Sequence, residues 1–433
     1  MNGGTSFGEF VREAAAVDAL VVQPRMGFSD PEEMRRGLRA TRDVAAHTVG
    51  TITLDSYTRT GDNKSAARAL SEGEGLNGYP LVAIPDSTTR DVLAGIHAES
   101  FPVQIRHGSA RPEAIFGALI EAGLTVTEGG PVSYCLPYGR VPLPESVENW
   151  VRCCEQLAEH AKGVPHLETF GGCMLGQLCP PSLLVAISVL EAMFFAEHGI
   201  TDISLSYAQQ TNPEQDIEAI TALRALGREF LPDADLHVVL YTYMGVYPRT
   251  DGGALALLKQ AARLAMHGGA ERLIVKTVAE AHRIPTIAEN VQALSTAARA
   301  ATGATRTTGA AGEPLKADSD VHAEARAIIT EVLSLADHGL AAAFVAAFRH
   351  GLLDVPYCLH PDNLGATSTY IDGDGRLRWA ATGALPIRAL GTAGRPRPLS
   401  SSDLLKSLSY VEHTFDQAAI TSAHTEPESS RVL

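Results

Sequence analysis

The chain has 433 residues, with 35 Lys and Arg against 50 Asp and Glu, which gives a formal net charge of −15. Apolar residues make up 45% and charged residues 20%, as in ordinary globular proteins. This acidic balance argues against non-specific binding to nucleic acid, because an acidic surface cannot neutralise phosphates. The longest apolar stretch, Leu183 to Ala196, is interrupted by Ser188 and Glu191 and is too short to span a bilayer.

The cysteine and histidine spacing predicts neither a disulfide scaffold nor a metal site. Cys153 and Cys154 are adjacent, Cys173 and Cys179 do not form a CxxC motif, and the histidines form no HxH or HExxH pair. We therefore predict reduced thiols and no metal ligands. The first residues show no signal-peptide core, so we expect a cytoplasmic protein.

Short β-branched segments alternate with helical patterns along the first 280 residues or so. Nine strands are predicted, at Ala19–Gln23, Val49–Leu54, Leu81–Ile84, Val103–Ile105, Leu124–Thr127, Leu167–Phe170, Ile203–Tyr207, His237–Tyr243 and Leu273–Lys276. Helices are predicted between them at Pro31–His47, Thr89–Glu99, Pro112–Ala122, Ser146–Ala161 and Pro181–His198. Repeated strand–helix units predict a mostly parallel sheet with helices outside it, an α/β fold.

Nine strands are one more than a (β/α)8 barrel requires, and Leu81–Ile84, which lies between two prolines, is the weakest of them. A doubly wound open sheet is the alternative. We favour the TIM-type barrel, with Leu81–Ile84 outside the ring, because charged residues gather where the strands end. The predicted organisation is a (β/α)8 catalytic barrel over 1–300, a flexible linker over 301–320, a C-terminal helix and hairpin extension over 321–390 and a partly disordered tail over 391–433.

Three short segments match known ligand-binding motifs wholly or partly, but the sequence argues against that function in each of them. Gly73–Gly78 matches GxGxxG but follows a helical stretch rather than a strand, so no dinucleotide site is predicted. Asp372–Gly375 lacks the spaced ligands of a calcium loop and predicts a hairpin turn, after a single helix over Val321–Arg349. Asp235–Leu240 has Leu where the DxHxxG segment of cobalamin-binding domains has Gly, and it has the pattern of a strand. The chain is therefore not expected to bind cobalamin by that route on its own.

Charged side chains follow four of the predicted strands, at the point where each strand ends. Arg25, Arg59 and Arg106 follow three strands, and Glu128 follows a fourth. In a (β/α)8 barrel these ends converge on one face. An arginine fork matches a carboxylate or a phosphate bidentately. Three arginines with one glutamate predict a site for a small dianionic ligand that also carries a cation, which fits an amino dicarboxylic acid better than a phosphorylated sugar.

Each of these residues alone could belong to a surface ion pair. Four charged residues at the ends of four strands, however, favour a single cavity. Tyr134 and Tyr138 lie in the loop that follows Glu128 and allow two interpretations. Their rings could pack on the barrel rim, or their hydroxyls could bind the ligand while the rings close the site from water.

The succession of these motifs resembles the large (epsilon) subunit of glutamate mutase, also called methylaspartate mutase. The similar segments run in order from about residue 19 to about residue 388 and are Gln23-Pro24-Arg25, Asp55–Arg59, Leu76–Pro80, Arg106-His107-Gly108, Glu128-Gly129-Gly130 through Tyr138, Phe170-Gly171, Cys179–Ser182, Gln215–Ile217, Tyr243–Gly245, Ile274–Thr277 with Glu280, and Asp362–Gly365.

The resemblance implies a barrel that binds adenosylcobalamin together with a separate small subunit, whose DxHxxG segment supplies the histidine that ligates cobalt. It implies a radical isomerisation of L-glutamate and L-threo-3-methylaspartate, in which cobalt–carbon homolysis gives a 5′-deoxyadenosyl radical that takes a hydrogen atom from the substrate. It also implies a heterotetramer in which two large subunits form a homodimer. In such a reaction the cofactor does the hard chemistry, and the protein positions the substrate.

By position, the resemblance implies that the substrate is bound by Arg25, Arg59, Arg106, Glu128, Tyr134 and Tyr138. The arginines would bind the carboxylates, Glu128 would hold the ammonium, and Glu128, Tyr134 and Tyr138 would be the catalytic residues. The implied cofactor residues are Lys276 and Glu280 at the adenosyl ribose, with Asn77, Phe170, Met244 and Gly245 beside it. Lys276 and Glu280 could instead form an i,i+4 surface pair, and Phe170 and Met244 could be plain core.

Three functions stay open at this point. The first is the large catalytic subunit of an adenosylcobalamin-dependent mutase acting on glutamate. The second is a cobalamin-independent barrel lyase or aldolase that acts on an amino dicarboxylic acid. The third is a non-catalytic scaffold that binds an amino acid or a partner subunit. The family's third glycine is Pro131 here, and a related acid is therefore an alternative substrate.

Overall fold

The computed structural model describes residues 6–137, 139–173, 178–306, 319–387 and 400–425. Eight parallel strands, β1 to β8, form one sheet and are Val21–Gln23, Gly50–Thr53, Val103–Arg106, Val126–Gly129, His166–Thr169, Asp202–Ala208, Asp235–Tyr241 and Arg272–Ile274. A separate antiparallel hairpin consists of β9, Thr367–Ile371, and β10, Leu377–Thr382.

The eight strands close into a barrel. The sheet order is β1-β8-β7-β6-β5-β4-β3-β2, so β1 and β2 lie at its two ends. These ends meet, because Val22 pairs in parallel with Thr48 and its N–H donates to the carbonyl of His47 at 2.9 Å. The prediction of a (β/α)8 barrel is confirmed, and the open sheet is excluded. The segment Leu81–Ile84 forms a turn outside the ring.

Helices surround the barrel and extend it. Within the described residues, α1 to α15 are Phe7–Ala16, Pro31–Arg42, Ser56–Thr60, Asn63–Ser71, Asp86–Leu93, Glu113–Glu121, Leu143–His160, Pro181–Glu197, Pro213–Phe230, Asp251–Gly268, Ile287–Thr302, Asp320–Leu333, Leu340–His350, Ser401–Leu408 and Tyr410–Thr425. Side-chain caps fix several of their starts, as where Asp30 accepts from the N–H of Glu33 and Asn212 accepts from the N–H of Gln215. None of the described helices is long and apolar enough to cross a membrane.

The barrel interior contains a buried ion pair. Arg272 on β8 and Glu168 on β5 are both fully shielded from solvent and pair through Nη2 and Oε2. Arg272 also donates to the amide oxygen of Gln23 and, at 3.0 Å, to the hydroxyl of Ser204. Gln104 donates to Glu168 at 3.1 Å. Because a buried charge is tolerated only when it is paired and hydrogen-bonded, these contacts specify how the strands face each other.

Helix α1 closes the amino-terminal end of the barrel beneath this ion pair. The Phe7 ring lies 4.9 Å from the guanidinium carbon of Arg272 and 4.5 Å from the ring of His166, measured to ring centroids. The N–H of Gly8 donates to Asp202 at 3.1 Å, and Asp202 lies 3.1 Å from Nδ1 of His166. The helix therefore covers the buried charges with an aromatic ring and excludes water from this end.

The predicted extension contains two helices where one was expected over Val321–Arg349. The break lies at Gly339, whose φ of +87° is a backbone conformation that glycine adopts more readily than other residues. Helix α12 packs on α8 and α9, whereas α13 packs on α7 and α8. The hairpin turn predicted at Asp372–Gly375 joins β9 to β10. Gln215 exchanges hydrogen bonds of 2.9 Å with both backbone groups of Leu377 and joins the hairpin to the barrel.

The described residues beside the predicted linker and within the predicted tail form regular structure. Helix α11 ends at Thr302, and Arg306 donates to the carbonyl of Ala270 at 2.9 Å; residues 307–318 lie outside the described residues. Within the segment predicted as a partly disordered tail, Ser401–Leu408 and Tyr410–Thr425 form α14 and α15. Asp416 accepts from the N–H groups of Arg249 and Thr250 at 2.9 and 3.0 Å and so joins α15 to the start of α10.

The buried ion pair predicts a large loss of stability in the variant Arg272→Met. Glu168 would then be buried without its cation, so we expect the free energy of unfolding to fall by about 3–5 kcal/mol, measured by urea or thermal unfolding. Adding Glu168→Gln to that variant removes the unpaired charge and should restore part of the loss.

The matched control is Arg111→Met. Arg111 pairs with Glu145 at 2.9 Å, but both side chains are about half exposed, so this change should cost less than about 1 kcal/mol. A loss for Arg272→Met no larger than that of the control would contradict the importance of the interior pair.

Candidate active site

A cavity of about 310 Å³ opens at the carboxyl ends of the barrel strands. It is lined by side chains that follow six of the eight strands, which is the arrangement that the sequence predicts for the arginines and the glutamate. The lining residues are Arg25, Thr53, Ser56, Arg59, Thr60, Arg106, His107, Gly108, Glu128, Tyr134, Phe170 and Met244.

Two of the cavity's charges form a buried pair. Nε of Arg106 donates to Oε2 of Glu128 at 2.7 Å, and both side chains are at most 5% exposed. The Arg106 guanidinium also lies 5.1 Å from the ring centroid of Tyr241. Burial disfavours the charged guanidinium, but Glu128, together with Tyr241 and Tyr134, outweighs burial and raises the pKa of Arg106. Arg106 therefore carries a fixed positive charge at the cavity wall.

Glu128 accepts hydrogen bonds from two tyrosines in addition to Arg106. The hydroxyl of Tyr134 donates to Oε1, and that of Tyr241 donates to Oε2 at 2.8 Å. The Tyr241 hydroxyl also lies within hydrogen-bond distance of Glu168, the partner of Arg272. Arg106 and the two tyrosine hydroxyls thus hold the carboxylate of Glu128 in one orientation. Glu168 and Tyr241 were not predicted as site residues. A glutamate inside the predicted strand segment Leu167–Phe170 could, however, have indicated a functional position.

Arg25 and Arg59 occupy neighbouring parts of the cavity wall. Arg59 is held by its own helix, since Nε donates to the carbonyl of Asp55 at 3.3 Å. Arg25 forms an ion pair with Glu280, with Nη1 and Oε2 separated by 2.7 Å. Nε of Arg25 is buried and has no hydrogen-bond partner within the described residues. The structure therefore joins Arg25, predicted at the substrate, to Glu280, predicted at the cofactor.

Lys276 and Glu280 form an i,i+4 pair, but it is not on the surface. Their charged atoms are 3.8 Å apart, and the side chains are only 7% and 12% exposed. Nζ of Lys276 donates to the carbonyl of Tyr243 at 3.3 Å and lies 4.3 Å from the ring centroid of Tyr247. Burial lowers the pKa of Lys276 to about 8; Arg25 also lowers it, while Glu280 opposes both.

The remaining predicted residues differ in their relation to the cavity. Phe170 and Met244 line the cavity, and Gly245 follows Met244 in a half-buried loop. Asn77 is exposed and accepts from the N–H of Ser56, a lining residue, at 2.9 Å. Tyr138 lies outside the described residues. Within the part of the chain that the structure describes, no group of three potential metal ligands comes together.

His107 also lines the cavity, beside Arg106. Its Nδ1 accepts a hydrogen bond from the N–H of Ser109 at 3.1 Å, so a neutral ring carries its proton on Nε2. Nε2 of this ring is itself buried. Burial, with Arg59 and Arg106 nearby, lowers the pKa of His107 to about 3. An interaction with the backbone carbonyl of Glu128 opposes that lowering but does not outweigh it, so the His107 ring is neutral.

Two segments resemble dinucleotide-binding and cobalamin-binding motifs, and both have the local structure that the sequence predicts. Gly73–Gly78 follows α4 and forms a loop, and Asp235–Tyr241 is strand β7. His237 of that strand is fully buried, and its ring stacks on His166 at a centroid distance of 5.3 Å. This histidine is therefore part of the barrel interior.

The low pKa of His107 predicts a pH-dependent difference in stability between the wild type and His107→Asn. Below about pH 6.5 the unfolded wild-type chain gains a proton at this residue that the folded chain does not bind. The contribution of His107 to stability is therefore full above pH 6.5 and is lost as the pH falls towards 3. We expect the wild type to lose melting temperature relative to His107→Asn between pH 7 and 5.

The control for this experiment is His160→Asn, because the His160 side chain is 57% exposed. A difference between wild type and His107→Asn that does not change with pH would show that His107 titrates normally.

Comparison with known proteins identifies the family of the chain. A family model described as methylaspartate mutase E chain (MutE) matches residues 3–393. The glutamate mutase epsilon subunit of Yersinia enterocolitica serotype O:8 / biotype 1B is 30% identical over 404 residues, which cover 88% of this chain and 81% of that protein. Those of Haloarcula marismortui and Escherichia coli O157:H7 are each 29% identical over 380 residues, covering 86% and 84% of this chain and 77% and 78% of those proteins. The chain belongs to the family of the methylaspartate mutase E chain.

Proposed function

We propose that this chain is the large catalytic subunit of an adenosylcobalamin-dependent mutase that interconverts L-glutamate and L-threo-3-methylaspartate. The observation that carries the proposal is the grouping of Arg25, Arg59, Arg106 and Glu128 in one cavity. The relatives named as glutamate mutase epsilon subunits support the same reaction class.

The charges of the cavity suit an amino dicarboxylate. The three guanidinium groups match the two carboxylates of such a ligand, and the Glu128 carboxylate matches its ammonium group. The charges of the ligand are therefore opposite to those of the cavity. Arg25 already has an anionic partner in Glu280, and in the proposal a substrate carboxylate occupies the guanidinium edge that carries its unpartnered Nε.

The residues beside β8 fit a group that carries sugar hydroxyls. Lys276 supplies N–H donors, Glu280 supplies carboxylate acceptors, and the buried Tyr247 hydroxyl has no hydrogen-bond partner within the described residues. In the proposal, Lys276 and Glu280 hold the adenosyl ribose. Adenosylcobalamin, when bound, supplies the radical that removes a hydrogen atom from the substrate.

The residues implied to lie beside the cofactor keep that role in the proposal, and they are Asn77, Phe170, Met244 and Gly245. In the proposal, Tyr134, whose hydroxyl donates to Glu128, and Tyr138 also bind the substrate. These residues orient the substrate and exclude water, which limits side reactions of a reactive intermediate.

The proposed assembly contains a second kind of chain. A separate small subunit with a DxHxxG segment would supply the histidine that ligates cobalt, because β7 of this chain is a buried strand and not such a segment. We further propose a homodimer of the large subunit within a heterotetramer that acts in the cytoplasm.

A cobalamin-independent lyase or aldolase is the second candidate, and the lowered pKa of Lys276 favours it. A buried lysine with such a pKa is typical of enzymes that form a Schiff base. Lys276 does not line the cavity that contains the arginines, however, and its Nζ interacts with Tyr243, Tyr247 and Glu280. Borohydride trapping in the presence of an amino dicarboxylate tests this candidate, and no trapped adduct is expected.

The proposed reaction is tested by mixing the chain with a candidate DxHxxG protein, adenosylcobalamin and L-glutamate. We expect L-threo-3-methylaspartate to appear in the proton NMR spectrum only when all four components are present. If a partner that is active with another large subunit gives no product with this one, the mutase proposal is wrong.

The arginine and glutamate contacts predict the effect of two conservative substitutions. Arg59→Lys removes a bidentate fork, and Glu128→Gln removes the charge that would hold the ammonium. We expect Arg59→Lys to keep the melting temperature within a few degrees, whereas Glu128→Gln also removes the anion that pairs with the buried Arg106 and should lower the melting temperature. Each variant should reduce kcat/KM by about 10²-fold or more. The matched control is Arg111→Lys, which changes an exposed pair and should leave kcat/KM unchanged. Wild-type kinetics in both variants would remove these residues from the site.

A further inference from the structure

Helix α8 carries one buried carboxylate that the substrate and cofactor assignments do not use. Glu191 is fully buried in a helix whose neighbouring residues are almost all apolar. No cation pairs with it within the described residues. Four backbone N–H groups donate to it, and the Ser133 hydroxyl also interacts with it, so the side chain is kept in the core mainly by main-chain donors.

The two oxygens of Glu191 are divided between two loops of the active site. Oε1 accepts from the N–H groups of Val132 and Ser133 at 3.3 and 2.9 Å, in the loop after β4. Oε2 accepts from the N–H groups of Phe170 and Gly171 at 3.4 and 2.9 Å, in the loop after β5. One carboxylate therefore joins the two loops to each other and to α8.

Both loops approach the helix closely because glycines leave room. A methyl group at Gly130 would lie 2.0 Å from Oε1 of Glu191, and one at Gly171 would lie 2.6 Å from the backbone nitrogen of Ser188. Gly129 has a φ of +133°, which turns the chain after Glu128 towards the helix. The adjacent glycines after Glu128 thus bring the first loop to the Glu191 carboxylate.

The joined loops carry two residues of the cavity wall. Tyr134 lies just beyond Ser133, and its ring centroid is 4.9 Å from that of Phe170. The Tyr134 hydroxyl donates to Glu128. We propose that Glu191 is a positioning residue that fixes Tyr134 and Phe170 relative to Glu128, so that the pocket is formed before the substrate binds. This inference rests on the proposed function for its kinetic consequence but not for its structural one.

The hydrogen-bonding pattern requires a carboxylate at position 191. All four partners are donors, two at each oxygen, so both oxygens must accept. An amide of the same shape has one acceptor, and its NH₂ group would face the N–H groups of one loop. Glu191→Gln therefore releases one loop while it preserves the size of the side chain.

The test combines amide hydrogen exchange with kinetics at pH 8. Burial raises the pKa of Glu191 to about 7, although the N–H and hydroxyl groups of Ser133 and the N–H groups of Phe170 and Gly171 oppose that rise, so the wild-type residue is ionised at pH 8. In Glu191→Gln we expect amides in at least one of the two loops, within 130–135 or 168–173, to exchange about tenfold faster or more. With the partner subunit and adenosylcobalamin, kcat should fall by about 10²-fold, while KM changes less than about threefold because the arginines lie on other loops.

The matched control is Glu197→Gln on the same helix. Glu197 accepts from the N–H of Leu340 at 3.1 Å, outside the cavity, so exchange in the two loops and kcat should stay at wild-type values. Wild-type exchange and kcat in Glu191→Gln would overturn the inference.

Two further results keep the inference separate from the proposed function. If Glu191→Gln does not fold, amide exchange in the wild type tests the inference instead. The amides of Ser133 and Gly171 donate to Glu191 and are expected to be protected, and exchange as fast as in exposed loops would overturn the inference. If the wild type shows the protected amides but no mutase activity, the proposed function fails and the positioning of the loops stands.

Discussion

The Arg272–Glu168 ion pair inside the barrel is the interaction on which the active-site geometry depends. Both side chains are fully shielded from solvent, so each requires the other and the surrounding amides and hydroxyls. Glu168 is also in contact with the Tyr241 hydroxyl, which donates in turn to Glu128. The carboxylate at the cavity floor is therefore held by a continuous series of polar contacts that begins in the barrel interior, where water is excluded by α1.

The charge of the cavity is opposite to that of the chain. A protein with a net charge of −15 gathers three arginines at one end of its barrel, and one glutamate lies among them. Because buried guanidinium groups require anionic partners, the protein supplies some of them itself, as in the Arg25–Glu280 and Arg106–Glu128 pairs. Ligand binding at such a site consists of an exchange of partners, and this favours a ligand that carries charges of both signs.

The sequence predicts the parts of the structure that follow from chain order. Parallel strands bring their carboxyl ends together, so the convergence of Arg25, Arg59, Arg106 and Glu128 could be predicted without knowing any side-chain direction. The Arg25–Glu280 pair could not be predicted, since it depends on how two long side chains turn in a shared space.

Other features were missed because they depend on contacts between distant segments. Glu191 interrupts an apolar helix in the sequence, but its partners are backbone groups 20 to 59 residues away. Helix α15 lies in the segment predicted as a tail, and its contacts are also with distant segments, because Val411 and Asp416 join it to α10 and to the loop that carries Tyr243 and Tyr247. The proposal that this cavity binds L-glutamate for a radical mutase reaction is tested most directly by EPR spectroscopy. The sample contains the chain, its small subunit and adenosylcobalamin, and it is frozen after addition of L-glutamate. A cob(II)alamin signal coupled to an organic radical is predicted with L-glutamate and not with glutarate, which lacks the ammonium group that Glu128 would bind. Bound adenosylcobalamin that gives no such signal with L-glutamate would contradict the account.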